Sequence, residues 1–239
     1  MENQPDYPIL YSLPGFRYCD LLLTEAELAA WQTVLECGDL SPLFSHAELS
    51  PSEARKVRGE NTDKAPHSEA LRAVAERAGK TLLWAEDYDL GLLTVALDHL
   101  TLGRVALHAA ILDKVVVLNA QSEVESAVAG LRRAGSQDHI PRGLLTRAWL
   151  HFLRDDRDGA RADLDEAWEI AERGPMKLFM ADIHLYRARL FHAVKPYPWK
   201  SPQEDLAAAE KLINECGYHR RDEELADAKQ AILGLKQSG

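Results

Sequence analysis

The sequence predicts an all-α chain of antiparallel helix pairs stacked side by side as a solenoid. Three observations predict it. The first is the stretch Ile140–Gly174, which holds two amphipathic segments joined by a charged turn, Arg154–Asp158. Its apolar residues are Leu144, Leu145, Ala148, Trp149, Phe152 and Leu153, then Ala160, Leu164, Ala167, Trp168 and Ala171. That i, i+3, i+4 spacing is a helical stripe. The second is recurrence. LTLGRV from Leu100, LTRAWL from Leu145 and LYRARL from Leu185 superimpose, placing small residues at Gly103, Ala148 and Ala188, 45 and 40 residues apart. VESAVAGL from Val124, LDEAWEIA from Leu164 and LAAAEKLI from Leu206 repeat the second helix through Ala127, Ala167 and Ala209, 40 and 42 residues apart. The third is that no alternating strand pattern runs longer than Lys114–Leu118. A repeat period of roughly 20–50 residues marks stacked supersecondary units, and small residues let the paired helices approach closely. One such hairpin cannot bury both of its faces, so the pairs need one another.

The elements follow in order. Asp6–Leu23 begins extended at Pro5 and Pro8 and then becomes helical, with Pro14 and Gly15 near the helix start. Thr24-Glu25-Ala26-Glu27 has capping-box spacing and opens a helix through Ala29, Trp31, Val34 and Leu35 that ends at Gly38. Asp39–His67 is rich in Ser, Pro and charge and reads as an irregular insertion near 38–66, with one short helix started by Ser50-Pro51. Ser68–Asp87 is its partner helix, with Leu71, Val74, Ala75, Ala78, Leu82 and Leu83 inward. Asp89–Asp113 and Ser122–Ala134 form the next pair, joined by a Val-rich connector. Pro141–Arg154 pairs with Arg157–Arg173, and Lys177–Ala193 with Pro202–Cys216. Within the last pair, Pro196, Tyr197, Pro198 and Trp199 force an extended loop, and Ser201-Pro202-Gln203-Glu204 restarts the helix with a capping box. Asp222–Lys236 has one apolar stripe, Leu225, Ala228, Ile232 and Leu235, as a terminal capping helix requires.

Leu102-Gly103, Ala148, Asp155, Ala160, Leu164 and Ala167 resemble the marker positions of the tetratricopeptide repeat (TPR). The spacing is longer than that family's roughly 34 residues, and Ala106 stands where an aromatic is usual. LYSLPGFRYCDLLL at Leu10–Leu23, ALDHLTLGR at Ala96–Arg104, DHIPRGLLTRA at Asp138–Ala148 and ECGYHRRDEEL at Glu215–Leu225 resemble the C-terminal repeat region of bacterial STAND/NACHT-type signalling proteins. The resemblance implies a single TPR-like domain over 1–239, a right-handed superhelical solenoid. It also implies a cytoplasmic sensor or scaffold that recognises protein or peptide.

Composition narrows the classes. With 239 residues and 46% hydrophobic content, the chain can bury a sizeable core without disulfides. A net charge of −10 argues against duplex nucleic acid or an anionic membrane as main partner. Three scattered cysteines, Cys19, Cys37 and Cys216, fit reduced thiols in a cytosolic protein, and MENQPDYP lacks the regions of a signal peptide. Leu90–Ala120 is the most apolar stretch, but Asp98, His99, Arg104, His108, Asp113 and Lys114 interrupt it, so it reads as a buried helix.

No GxxxxGK[ST] loop, GxGxxG after a strand, GxSxG elbow or HExxH helix is present, so we expect no catalytic residue, no cofactor and no ATP binding. His184, His192 and Asp182 share a helix, but eight residues between histidines is too long for one metal ion without further help. The remaining constellation is the concave face lined by the first helix of each pair. The repeat register puts Arg104 and His108 there, then Arg142, Trp149 and Phe152, then Asp182, Arg189 and His192. Recurring arginines beside aromatics suit an acidic protein or peptide segment; equally, Arg104 and Arg189 could pair with acids on an adjoining repeat. Asp138–Arg142 and Gly217–Asp222 read as packing and capping features. Two other classes compete: a free-standing regulator binding a small signalling peptide, weakened by the lack of a helix-turn-helix, and a metal-binding or hydrolytic protein using the histidine-bearing helices.

Overall fold

The computed structural model describes residues 9–37, 67–113 and 119–234. Within them lie ten α-helices and no strand. They are α1 (Ser12–Leu22), α2 (Thr24–Cys37), α3 (Ser68–Asp87), α4 (Leu92–Asp113), α5 (Ala120–Arg133), α6 (Ile140–Leu153), α7 (Arg157–Arg173), α8 (Lys177–Phe191), α9 (Pro202–Cys216) and α10 (Asp222–Leu233), with a short 3₁₀ turn at His219–Arg221. The expected insertion at 38–66, its Ser50-Pro51 helix, and the connector Lys114–Leu118 lie outside the described residues.

Local chemistry sets the helix ends. The Asp156 carboxylate accepts the Gly159 amide at 2.9 Å and opens α7. Ser201 Oγ accepts the Glu204 amide at 3.1 Å, with Pro202 in the first turn of α9. Gly217 closes α9 at φ 63°, a left-handed conformation open to glycine at little steric cost. The expected cap at Thr24 is not formed. Its hydroxyl donates to the Asp20 carbonyl at 3.2 Å, and the Leu23 and Glu27 amides bond back to Cys19 and Leu23. Helical bonding therefore carries across the α1–α2 joint.

Sequence-adjacent helices pack as pairs: α3 on α4, α4 on α5, α6 on α7, and α8 on α9. A Cβ on Gly103 of α4 would stand 2.6 Å from Val124 Cγ2 of α5, and one on Gly130 of α5 would stand 2.8 Å from Ala96 Cβ of α4. Only glycine permits that approach. Ala148 and Ala188, the matching positions in α6 and α8, are fully buried. One core cluster runs from Leu97, Leu100 and Leu107 through Val128 and Leu131 to Leu144, Leu145, Leu164 and Ile183. Each such side chain contributes about 1.5–3 kcal/mol.

Helix α4 is apolar enough and long enough to cross a membrane, yet most of it is buried within the protein. Its burial has a cause: α1, α2, α3, α5 and α6 all pack on it. The first and last parts of the chain also meet. Helix α2 packs on α10, where Gln32 Nε2 donates to Asp227 at 2.8 Å. The side of α4, α6 and α8 that carries Arg104, Arg142 and Arg189 is thereby covered by α1 and α2 along one edge and by α10 along another.

Candidate functional site

The residues expected on the concave face do come together. Arg104 and His108 of α4, Arg142 and Trp149 of α6, and Asp182 and Arg189 of α8 converge through shared carboxylates and ring contacts. They are not open to solvent, however. All six are buried, Arg189, His108, Trp149 and Asp182 to 1% exposure. Phe152 and His192 are half-buried at the end of this face. Phe152 packs edge-on to Phe191, and His192 Nδ1 lies 3.1 Å from the Arg189 carbonyl. An accessible groove of non-core side chains therefore needs correcting: α1, α2 and the Tyr218–Glu224 stretch fill the space above these residues.

The filling is ionic. Asp20 lies 2.8 Å from Arg104 Nη1, 3.3 Å from Arg142 Nη2 and 2.5 Å from Arg220 Nη1. Glu27 accepts from Arg104 at 2.8 Å and lies 3.4 Å from Arg221. Arg221 Nε donates to Asp182 at 2.8 Å, Arg142 Nη1 lies 3.8 Å from Asp182, and the Tyr218 hydroxyl donates to Asp182 at 3.3 Å. Glu224 accepts from Arg221 and, at 2.7 Å, from Arg189. Five arginines thus meet four carboxylates.

Burial opposes ionisation of Asp20, but Arg142, Arg104 and Arg220 outweigh it and hold the carboxyl well below the ordinary range. Glu27 is likewise held low against its burial by Arg221, Arg104 and Arg142. Burial pushes His108 down to about 3, against the pull of Glu27, so its imidazole is neutral at pH 7.

Beside the ions sits an aromatic cluster. The indoles of Trp31 and Trp149 stack at 3.6 Å between centroids and 10° between planes, and Tyr186 meets Trp31 edge-on at 4.8 Å. The Arg189 guanidinium lies over Trp31 at 4.0 Å. Trp31 Nε1, Trp149 Nε1, Arg189 Nη2 and His108 Nδ1 are buried with no hydrogen-bond partner among the described residues.

Sequence reasoning missed Asp20, Glu27, Trp31, Arg220, Arg221 and Glu224. For Arg220 and Arg221 a signal existed, since a double arginine in a capping motif of an acidic chain needs carboxylates nearby. For Asp20 and Glu27 there was only the i, i+7 spacing.

Elsewhere, His184 Nδ1 lies 2.6 Å from Asp205, which also accepts from Tyr197. Trp199 Nε1 donates to Asp165 at 2.8 Å, and the Arg187 guanidinium lies between Trp168 and Trp199. These contacts pin the Val194–Lys200 loop onto α7, α8 and α9. Among the described residues, no three His, Cys, Asp or Glu side chains are grouped to hold a metal ion.

No protein-family model matches the chain, and neither a curated protein nor a solved structure does.

Proposed function

We propose that the chain is a non-enzymatic, TPR-like helical-repeat module that recognises an acidic protein or peptide segment on the inner side of α4, α6 and α8. The convergence of Arg104, Arg142 and Arg189 with Trp149 on that side carries the reading. Guanidinium groups form paired, charge-assisted bonds to carboxylates, and a tryptophan supplies a large apolar anchor. An excess of arginine over carboxylate in this cluster gives a local positive field within a chain of net charge −10. The likeness of Leu10–Leu23, Ala96–Arg104, Asp138–Ala148 and Glu215–Leu225 to the repeat region of STAND/NACHT-type proteins favours a sensor or scaffold in bacterial signalling or defence. Cytoplasmic location and a right-handed superhelix belong to the same reading.

Arg220 and Arg142 are the arginines of the cluster nearest solvent, with side chains 29% and 10% exposed. Affinity capture from a native lysate should be compared for the unaltered chain, Arg142→Ala, Arg220→Ala and the outer-surface variant Arg132→Ala. The reading expects one captured protein to be lost or depleted at least tenfold with the first two variants and retained with the third. Equal capture by all four chains contradicts it.

A further inference from the structure

The carboxylates that meet the arginine face come from α1–α2. Across the nearly continuous α1–α2 stretch, Cys19, Leu23, Ala26, Ala30 and Trp31 are buried, with exposures of 3% or less. These fall on one stripe at i, i+4, i+7, i+11 and i+12, the spacing of an amphipathic helix; Cys19, Leu23 and Ala26 pack with Leu71 and Val74 of α3 and Val105 of α4, and Ala30 and Trp31 join the main core. Asp20 and Glu27, seven residues apart and two turns along the same stripe, carry its charge, and each meets two or more arginines. Trp31 ends the stripe in the aromatic cluster of Trp149, Tyr186 and Arg189.

We infer that α1–α2 is an internal occupant of the recognition face and displays the pattern its external partner carries. That partner is an acidic amphipathic helix with two carboxylates seven residues apart and a tryptophan four residues after the second. The inference rests on the recognition reading above and names the partner class for the same face. Charge complementarity commits it to an acidic helix, because every ion-pair partner of Asp20 and Glu27 is an arginine.

The internal fit is incomplete in a way that permits exchange. Trp149 Nε1 and Arg189 Nη2 of the face are buried donors left without an acceptor among the described residues. An unmade buried hydrogen bond weakens the packed state. A partner offering a carbonyl or carboxylate oxygen there would bind better than α2 does. In the resting chain the tethered segment competes at an effective concentration on the order of millimolar, which suppresses external binding.

The probe is a synthetic peptide of residues 16–35 with Cys19→Ser, added to the full chain carrying Cys37→Ser and Cys216→Ser. Labelling of the buried Cys19 thiol then reports departure of α1–α2 from the face. The control peptide carries Asp20→Asn, Glu27→Gln and Trp31→Ala. The peptide should accelerate Cys19 labelling at least tenfold in a Glu27→Gln host, whose internal contact is weakened, and less in the host with Glu27 intact. The control peptide should leave the rate unchanged in both. Labelling unaffected by the peptide in a host that remains helical by circular dichroism overturns the inference. So does peptide binding without a labelling change, which would leave the recognition reading standing; only loss of arginine-dependent capture removes that reading. Should Glu27→Gln unfold the host, hydrogen exchange on the unaltered chain decides. Amides of α1–α2 are expected to exchange at least tenfold faster than those of α6, and equal protection overturns the inference.

Discussion

The indole of Trp31 in α2 stacks flat on that of Trp149 in α6, 3.6 Å between centroids, across a chain separation that no local pairing explains. Both rings are buried to 1% exposure, so the stack is part of the core. Trp31→Ala should cost about 3–5 kcal/mol in urea unfolding, the usual range for deleting a buried tryptophan. A loss below about 1 kcal/mol would mean that α2 does not sit on the inner face in solution.

Arg189 illustrates why buried ions differ from surface ones. Its guanidinium pairs with Glu224 at 2.7 Å, both groups 4% exposed or less. Arg189→Ala leaves Glu224 with Arg221 alone and removes the cation from the face of Trp31, so a loss of about 3–5 kcal/mol is expected. Arg132 pairs with Glu166 at 2.6 Å on the surface, and Arg132→Ala should cost less than about 1 kcal/mol. Similar losses for the two variants, measured by denaturant midpoint, would contradict the burial of the network.

Two groups set opposite pH dependences. Asp98 accepts from Thr81 at 2.8 Å, and burial raises its carboxyl to about 6 despite Thr81, His99 and Arg77. Between pH 4 and 6 the folded state therefore holds more protons than the unfolded one, and this group's contribution falls as pH rises, by about 3 kcal/mol in all. Asp98→Asn should gain on the unaltered chain by that order between pH 4 and pH 7. His108 acts the other way: its folded value of about 3 lies below the unfolded 6.5. Stability is lost as pH falls through that window, because the unfolded state takes up the proton first. His108→Gln should flatten that acid limb; an unchanged limb would show that other groups set it.

Gly103 tests the paired packing. An alanine there gains about 1 kcal/mol of helix propensity, but its Cβ meets Val124 Cγ2 at 2.6 Å with the Val124 amide nitrogen at 3.2 Å. Backbone behind the methyl leaves little room to yield, so the clash should win and Gly103→Ala should be destabilising by about 1–3 kcal/mol. A more stable variant would mean that α4 and α5 lie farther apart.

Most of the helices were legible because each carries an apolar stripe, and Arg157–Arg173 and Pro202–Cys216 fall where the pattern put them. That Arg104, Arg142 and Arg189 share one side of their helices was legible from helical spacing, but their burial among carboxylates was not. Nor was the occupant of that face. Asp20 and Glu27 meet arginines 77 to 200 residues away, and in the sequence they look like ordinary acids on a polar helix face. Thr24 does open α2, as its spacing suggested, but the bonding around it was not legible. Its hydroxyl bonds back to Asp20 and lets the stripe run on to Trp31. Helical bonding across that joint is what turns two short segments into one groove-filling element.

The central claim is that an acidic segment from α1–α2 is held on the arginine face by direct ionic contact. The Glu27–Arg104 pair, 2.8 Å apart with both side chains 3% exposed, measures it most directly. A double-mutant cycle of Glu27→Gln and Arg104→Gln by equilibrium urea unfolding should give a coupling of about 1–3 kcal/mol, as groups in one buried network do. Additivity within about 0.5 kcal/mol would contradict the claim, placing the two groups apart and the face open.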